Sequence, residues 1–182
     1  MLLVLLPYAA VTFVIVAGLL ALLISSYKGV RPGTALVLID RHGKGRVLLE
    51  GGTMMLPFMG TADPVLVLPR EIALPFVGED ALSSGGRRVS FTLRATVRVD
   101  ATKEAVHSWV EAVGASNAND SARLAALLRS AVQPAFAQAV TGLAADTGSG
   151  DVANALRDAA PRSFAGVVVE DLDFADVVFD AA

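Results

Sequence analysis

Two histidines, a run of carboxylates near the C-terminus and one lysine between glycines are the side chains of this 182-residue chain whose types could do chemistry. His42 and His107 stand far apart in sequence, a spacing that reads as a turn histidine and a helix-surface histidine rather than a metal pair. Asp171, Asp173 and Asp176 do not follow the D-x-D-x-D-G frame of a calcium loop, and no bidentate glutamate follows them at the required distance. Gly43-Lys44-Gly45 has neither the upstream glycine of a phosphate loop nor a hydroxyl residue after the lysine. No serine sits in a Gly-x-Ser-x-Gly elbow. The expectation is a protein that is not an enzyme, with no catalytic residues, no cofactor and no metal.

Two other groups of residues point to surfaces. Met54, Met55, Leu56, Phe58 and Met59 crowd into one loop after Gly51-Gly52. Methionine fills irregular gaps, so they could plug the end of a core. An apolar turn that stays exposed needs a partner, and a lipid headgroup region is the alternative. Both readings stay open on the sequence. Arg94 and Arg98 on one side, and Glu170, Asp171 and Asp173 on the other, form basic and acidic patches that could join copies of the chain by a heterologous contact.

These surfaces need elements to hold them. Residues 1–27 carry no charged side chain, and Leu2 to Ile24 is an almost unbroken apolar run. At ~1.5 Å per residue it is about 35 Å long, and its Leu, Val, Ile and Phe contribute roughly −5 to −9 kcal/mol to insertion. A single transmembrane helix is predicted here, with Leu2, Leu6, Phe13, Ile15, Leu20 and Ile24 as anchor residues. A cleaved signal peptide fits less well, because no basic residue precedes the run and Ile24-Ser25-Ser26-Tyr27 is a poor cleavage site. Lys28 and Arg31 follow the run at once, which predicts a cytoplasmic domain beyond a single-pass span. The absence of cysteine excludes disulfides and a lipidated cysteine. A net charge of −3 gives no electrostatic case for nucleic acid.

The rest, 28–182, reads as one α+β domain, with antiparallel strands in its first half and helices packed against them in the second. Thr34 to Asp40 and Gly45 to Glu50 flank Arg41-His42-Gly43-Lys44 as a hairpin. Val65 to Leu68 and Glu71 to Phe76 are short strands that Pro64, Pro69 and Pro75 assign to edges or bends. From Arg88 to Asp100 apolar and polar residues alternate strictly, so Val89, Phe91, Leu93, Ala95, Val97 and Val99 share one buried face. Gly85-Gly86 is the turn feeding that strand. A helix capped by Asp100 or Thr102 carries Val106, Trp109, Val110 and Val113 on one face. A longer one from Asp120 repeats apolar residues from Leu124 to Leu143, with Pro134 expected to bend it. Asp151 is the expected cap of a third helix, which Pro161 ends, and Gly166 to Phe179 closes the chain as a strand.

This order of parts resembles the SPFH, or band 7, family of stomatins, prohibitins and flotillins. Tyr27-Lys28-Gly29-Val30-Arg31-Pro32-Gly33-Thr34 is similar to the family's entry segment, and Arg46 to Phe58 to its Gly-Gly hairpin. Arg88 to Val99 is similar to its long alternating strand, Leu128-Arg129-Ser130-Ala131-Val132 to its Leu-Arg helix, and Gly166 to Leu172 to its closing strand. Flotillin-like members look nearest. Relatives usually continue into long charged helices that mediate assembly, and no heptad segment follows here. The resemblance implies a non-enzymatic scaffold that self-associates in a lipid bilayer and organises lipids or membrane proteins. An accessory subunit regulating a membrane protease or other membrane enzyme is the alternative, which makes another membrane protein a second possible partner.

Overall fold

The computed structural model describes residues 2–56, 58–78, 81–84, 87–143 and 147–181, with side chains from Val11 onward except at 83–87 and 180–181. The turn expected at Gly85-Gly86 lies outside the described residues. The contacts divide the chain into two compact units, Met1–Pro64 and Val65–Ala182.

The first unit opens with α1 (Leu2–Ser26), whose described side chains are exposed from Val11 to Ser25. The transmembrane span expected of this segment is corrected: among the described residues no helix is long and apolar enough to cross a membrane.

Two small antiparallel pairings follow. β1 (Tyr27–Gly29) pairs with a later strand, β4 (Gly52–Met54), bringing Tyr27 opposite Met54. β2 (Thr34–Asp40) and β3 (Gly45–Leu48) form the expected hairpin, and β5 (Gly60–Leu66) lies on the other side of β2. The hairpin turn is tied by Asp40, whose carboxylate accepts from the backbone N–H groups of His42 and Lys44, both at 2.8 Å. Gly43 supplies the positive φ that this turn needs. β3 is shorter than predicted, with Glu50 falling in the bend before Gly51.

The second unit is built around β8 (Arg87–Val99). It pairs with β6 (Arg70–Phe76) and the short β7 (Leu82–Ser84) on one side, and with β10 (Val167–Ala181) on the other. β9 (Ser163–Phe164) adds two residues outside β10. All six apolar positions of β8 are buried, 2 % exposed or less. Burying one face of a pleated strand forces the alternation seen in its sequence. Pro75 sits in β6 at the rim of this sheet, where a missing N–H costs no ladder bond.

Three helices complete the unit: α2 (Lys103–Val113), α3 (Ser121–Thr141) and α4 (Ser149–Ala159). Thr102 caps α2 by accepting from Ala105 N–H, and Asp120 caps α3 by accepting from Ala122 N–H. Leu124, Leu128, Val132, Phe136 and Val140 recur every fourth residue and make the buried stripe of α3, which runs on through Pro134. The predicted Asp151 cap is corrected. Gly148 holds the N-cap position of α4, and Asp151 lies in the first turn, where a carboxylate still favours the helix dipole.

Aromatic rings tie the layers together. Phe76 stacks on Phe91 with centroids 4.8 Å apart, and Phe136 of α3 meets both edge-on at 6.1 Å. Phe174 of β10 closes the cluster against Phe91 and Phe136 at 5.8 Å. Trp109 is fully buried, and its indole N–H donates to Ala118 O at 3.0 Å. The polar atom of the largest core residue is therefore satisfied.

Two stability results are expected. Phe91→Ala removes the ring that three others touch and is expected to cost about 3 to 5 kcal/mol, whereas Thr92→Ala on the opposite face stays within about 1 kcal/mol. Denaturant melts measure both, and equal losses would refute the assignment of faces. Gly166 and Gly78 both have positive φ. A methyl at Gly166 meets the Ala105 backbone carbonyl, while a methyl at Gly78 meets open space. Gly78→Ala is expected to cost roughly 1 kcal/mol of conformational strain, and Gly166→Ala several times more because backbone must shift. Thermal melts of the two variants compare them directly.

Candidate lipid-facing surface and polar sheet face

In the first unit, the methionine loop is joined to the end of α1 by backbone. Met55 N–H donates to Ser26 O at 2.8 Å, continuing the β1–β4 pairing, and Met59 N–H donates to Leu56 O at 2.9 Å to close the turn. Gly52 has no room for a side chain because the Tyr27 ring and the Lys28 carbonyl pass over it. The loop therefore leaves the sheet beside the last turn of α1.

The exposure of these side chains is uneven. Met54 is 58 % exposed, Phe58 57 % and Met59 55 %, while Met55 and Leu56 are half-buried. Tyr27, opposite Met54 on the paired strand, is equally open. Phe13, Ile15, Leu20 and Ile24 of α1 are exposed too. The side chains of Leu2 and Leu6 lie outside the described residues. Over its described side chains, from Val11 to Ile24, α1 is almost wholly apolar and exposed, and water is a poor solvent for such a surface. Lys28 and Arg31 are exposed just beyond it.

In the second unit, the polar face of the central sheet holds the basic and acidic residues singled out in the sequence, and the structure brings them together within one chain. Arg98 of β8 pairs with Glu170 of β10 through its Nε and with Asp100 at 3.4 Å. Arg94 lies directly opposite Asp173 in the β8–β10 register. Among the described residues no ion pair joins those two. Asp171 and Asp173 are exposed. A cavity of about 340 Å³ is lined by Asp171 together with Arg157, Asp158, Arg162 and Glu170 among others. Its walls carry both signs of charge.

His42 is exposed in the β2–β3 turn. His107 lies on the surface of α2 with its Nε2 3.2 Å from Glu111, one turn further on, a neighbour that the spacing of histidines alone passes over. Among the described residues no group of three or more metal-type ligands converges.

Several of the polar contacts that sequence reasoning missed are reached over long sequence separations. Asn119 accepts from Leu66 N–H at 2.8 Å through its side chain, and its backbone O accepts from Arg70 at 3.2 Å. Arg70 also donates to Leu66 O at 3.1 Å, and its partial burial lowers its pKa from the usual arginine value. Arg129 donates to Pro75 O at 2.8 Å while its guanidinium lies 5.3 Å over the Phe76 ring. Only the Leu-Arg pair at 128–129, read as a family feature, hinted at any of these.

Among curated proteins, no significant match to the chain is found. The family model described as SPFH domain / Band 7 matches residues 28–181, which takes in nearly everything after α1 and spans both units. The chain belongs to the SPFH domain / Band 7 family.

Proposed function

We propose that this protein is a membrane-associated scaffold whose α1 and Met54–Met59 loop contact lipid, and which self-associates there to organise lipids or neighbouring membrane proteins. SPFH/Band 7 proteins are a membrane-associated, scaffold-type family and are generally non-enzymatic. The observation that carries the reading to particular residues is the exposed apolar surface of the first unit. Tyr27, Met54, Phe58 and Met59 stand beside the end of an uncharged helix, and each is more than half open. An apolar surface of this kind is costly in water, at about 25 cal/mol per Å², and favourable against acyl chains. Lys28 and Arg31 flank it, and each adds about 1 kcal/mol near an anionic headgroup.

For self-association the polar sheet face is a poorer adhesive than its charges alone imply, because Arg98 is already engaged by Glu170 and Asp100 of its own chain. Exposed pairs are individually worth ~1 kcal/mol or less and weaken with salt. Association is therefore assigned chiefly to confinement at the lipid surface, which raises the effective concentration of weakly complementary faces. The order of the motifs supports a flotillin-like reading within the family.

A fluorescence measurement tests the lipid contact. The chain has one tryptophan, Trp109, which is fully buried in the second unit. A Phe58→Trp variant of the full chain, reconstituted in vesicles with brominated acyl chains, is expected to lose much of its added emission relative to wild type. Added emission that is untouched by the bromines would remove the loop from the lipid surface. Met54→Ser combined with Met59→Ser is expected to weaken binding of the full chain to vesicles by up to tenfold per buried methionine, since each contributes on the order of 1.5 kcal/mol.

A further inference from the structure

We infer that Asp171 and Asp173 act as guards on an open sheet edge, holding β10 closed to strand pairing with a second copy of the chain. On one side β10 pairs with β8 almost throughout. On the other, among the described residues, it meets only β9 at Val167 and Val168, and Val169 N–H donates to Arg162 O. From Glu170 onward, among the described residues, no strand pairs with that edge, and at Glu170, Asp171 and Leu172 it borders the cavity lined by Arg157, Asp158 and Arg162. A long unpaired edge is a template for another strand, and proteins that stay soluble block it.

The register decides which backbone groups face outward. Val169 directs its N–H away from β8, toward Arg162. Glu170 is then skipped in a bulge, and pairing resumes at Asp171 opposite Thr96. Alternation along the antiparallel ladder therefore aims the N–H groups of Asp171 and Asp173 at β8 and those of Leu172 and Phe174 at the open edge. Those two outward donors are the ones the aspartates take. Leu172 N–H donates to Asp171 Oδ1 at 2.9 Å, and Phe174 N–H donates to Asp173 Oδ1 at 3.0 Å. Asp173 makes this contact although Arg94 is its cross-strand neighbour. Each carboxylate thus fills a donor that an incoming strand would need and sets a negative charge in that strand's path.

The guarded stretch is also short. A second irregularity falls between Ala175 and Val178, where Asp176 adopts a positive φ of 56°, so the edge is bent just past the guarded donors. Bulges of this kind twist an edge away from straight pairing. The core side of the same strand has no such freedom, because Phe174 is locked against Phe91 and Phe136. The edge is therefore held in register by its apolar face while its two Asp residues close its outer donors. The partner that this device excludes is a strand from a second copy, so association of the proposed scaffold must run through other surfaces.

The test uses the full chain in mild detergent. In the wild type, the amide protons of Leu172 and Phe174 are expected to move upfield together as acid protonates Asp171 and Asp173, because an N–H loses a charged acceptor. Amide shifts that ignore the carboxylates would overturn the assignment without any variant. The double variant Asp171→Ala, Asp173→Ala is expected to sediment as larger, β-rich species at concentrations where the wild type does not, while Asp171→Asn, Asp173→Asn, which keeps an acceptor oxygen, stays closer to wild type. An alanine variant that keeps its helical and sheet circular dichroism and sediments like the wild type overturns the guard. Should the alanine variant lose its fold, the amide titration of the wild type alone decides.

Discussion

A strand in which every second residue is apolar has to hide one face from water, and nearly everything in the larger unit follows from how β8 does so. Its apolar side chains lie under the buried stripe of α3 and beside the inward residues of β6 and β10, so three elements distant in sequence meet on one surface. Phe91 is the point of closest convergence, touched by rings from β6, α3 and β10. Aromatic pairs of this geometry add about 0.5 to 1.5 kcal/mol each beyond the area they bury. The other face is polar, and there Arg98 pairs with Glu170 across the β8–β10 ladder while Arg94 lies opposite Asp173.

How much was legible depended on whether a signal was local and periodic. The two-residue period of Val89 to Val99 and the four-residue recurrence of Leu124 to Val140 survive intact in the fold, because burial of a single face imposes both patterns directly. The turn at Arg41 to Lys44, a helix cap at Asp100 or Thr102 and a helix start near Asp120 were also readable, since the bonds that make them close within four residues. Asn119 and Arg129 were not, because their partners Leu66 and Pro75 lie more than fifty residues away. Gly148 was passed over as a cap because Asp151 offered a better side chain, yet the backbone takes helical form before Asp151 is reached.

The candidate surfaces divide the same way. Clustering of Met54, Met55, Leu56, Phe58 and Met59 was plain in the sequence, but which of them face outward was not. That depends on the β1–β4 register and on the bond from Met55 to Ser26. The charged residues show the opposite case. Arg98 and Glu170 looked like halves of a contact between molecules, and the pairing of β8 with β10 makes them halves of one within the chain. Charge patches separated by seventy residues carry no mark of whether they meet at home or abroad. The transmembrane span expected of residues 1–27 is not supported, since among the described residues no helix is long and apolar enough to cross a membrane.

The chain holds a packed sheet-and-helix unit and, in its other unit, exposed apolar side chains on α1 and the methionine loop, the surface on which the scaffold proposal rests. The mass of the intact particle is the most direct test. Extracted with its surrounding lipid by a bilayer-solubilising polymer and weighed without further detergent, the protein is predicted to give particles many times the 18.8 kDa of one chain, containing this chain alone as protein. A particle holding a single copy, or one copy with a stoichiometric unlike subunit, would contradict the scaffold.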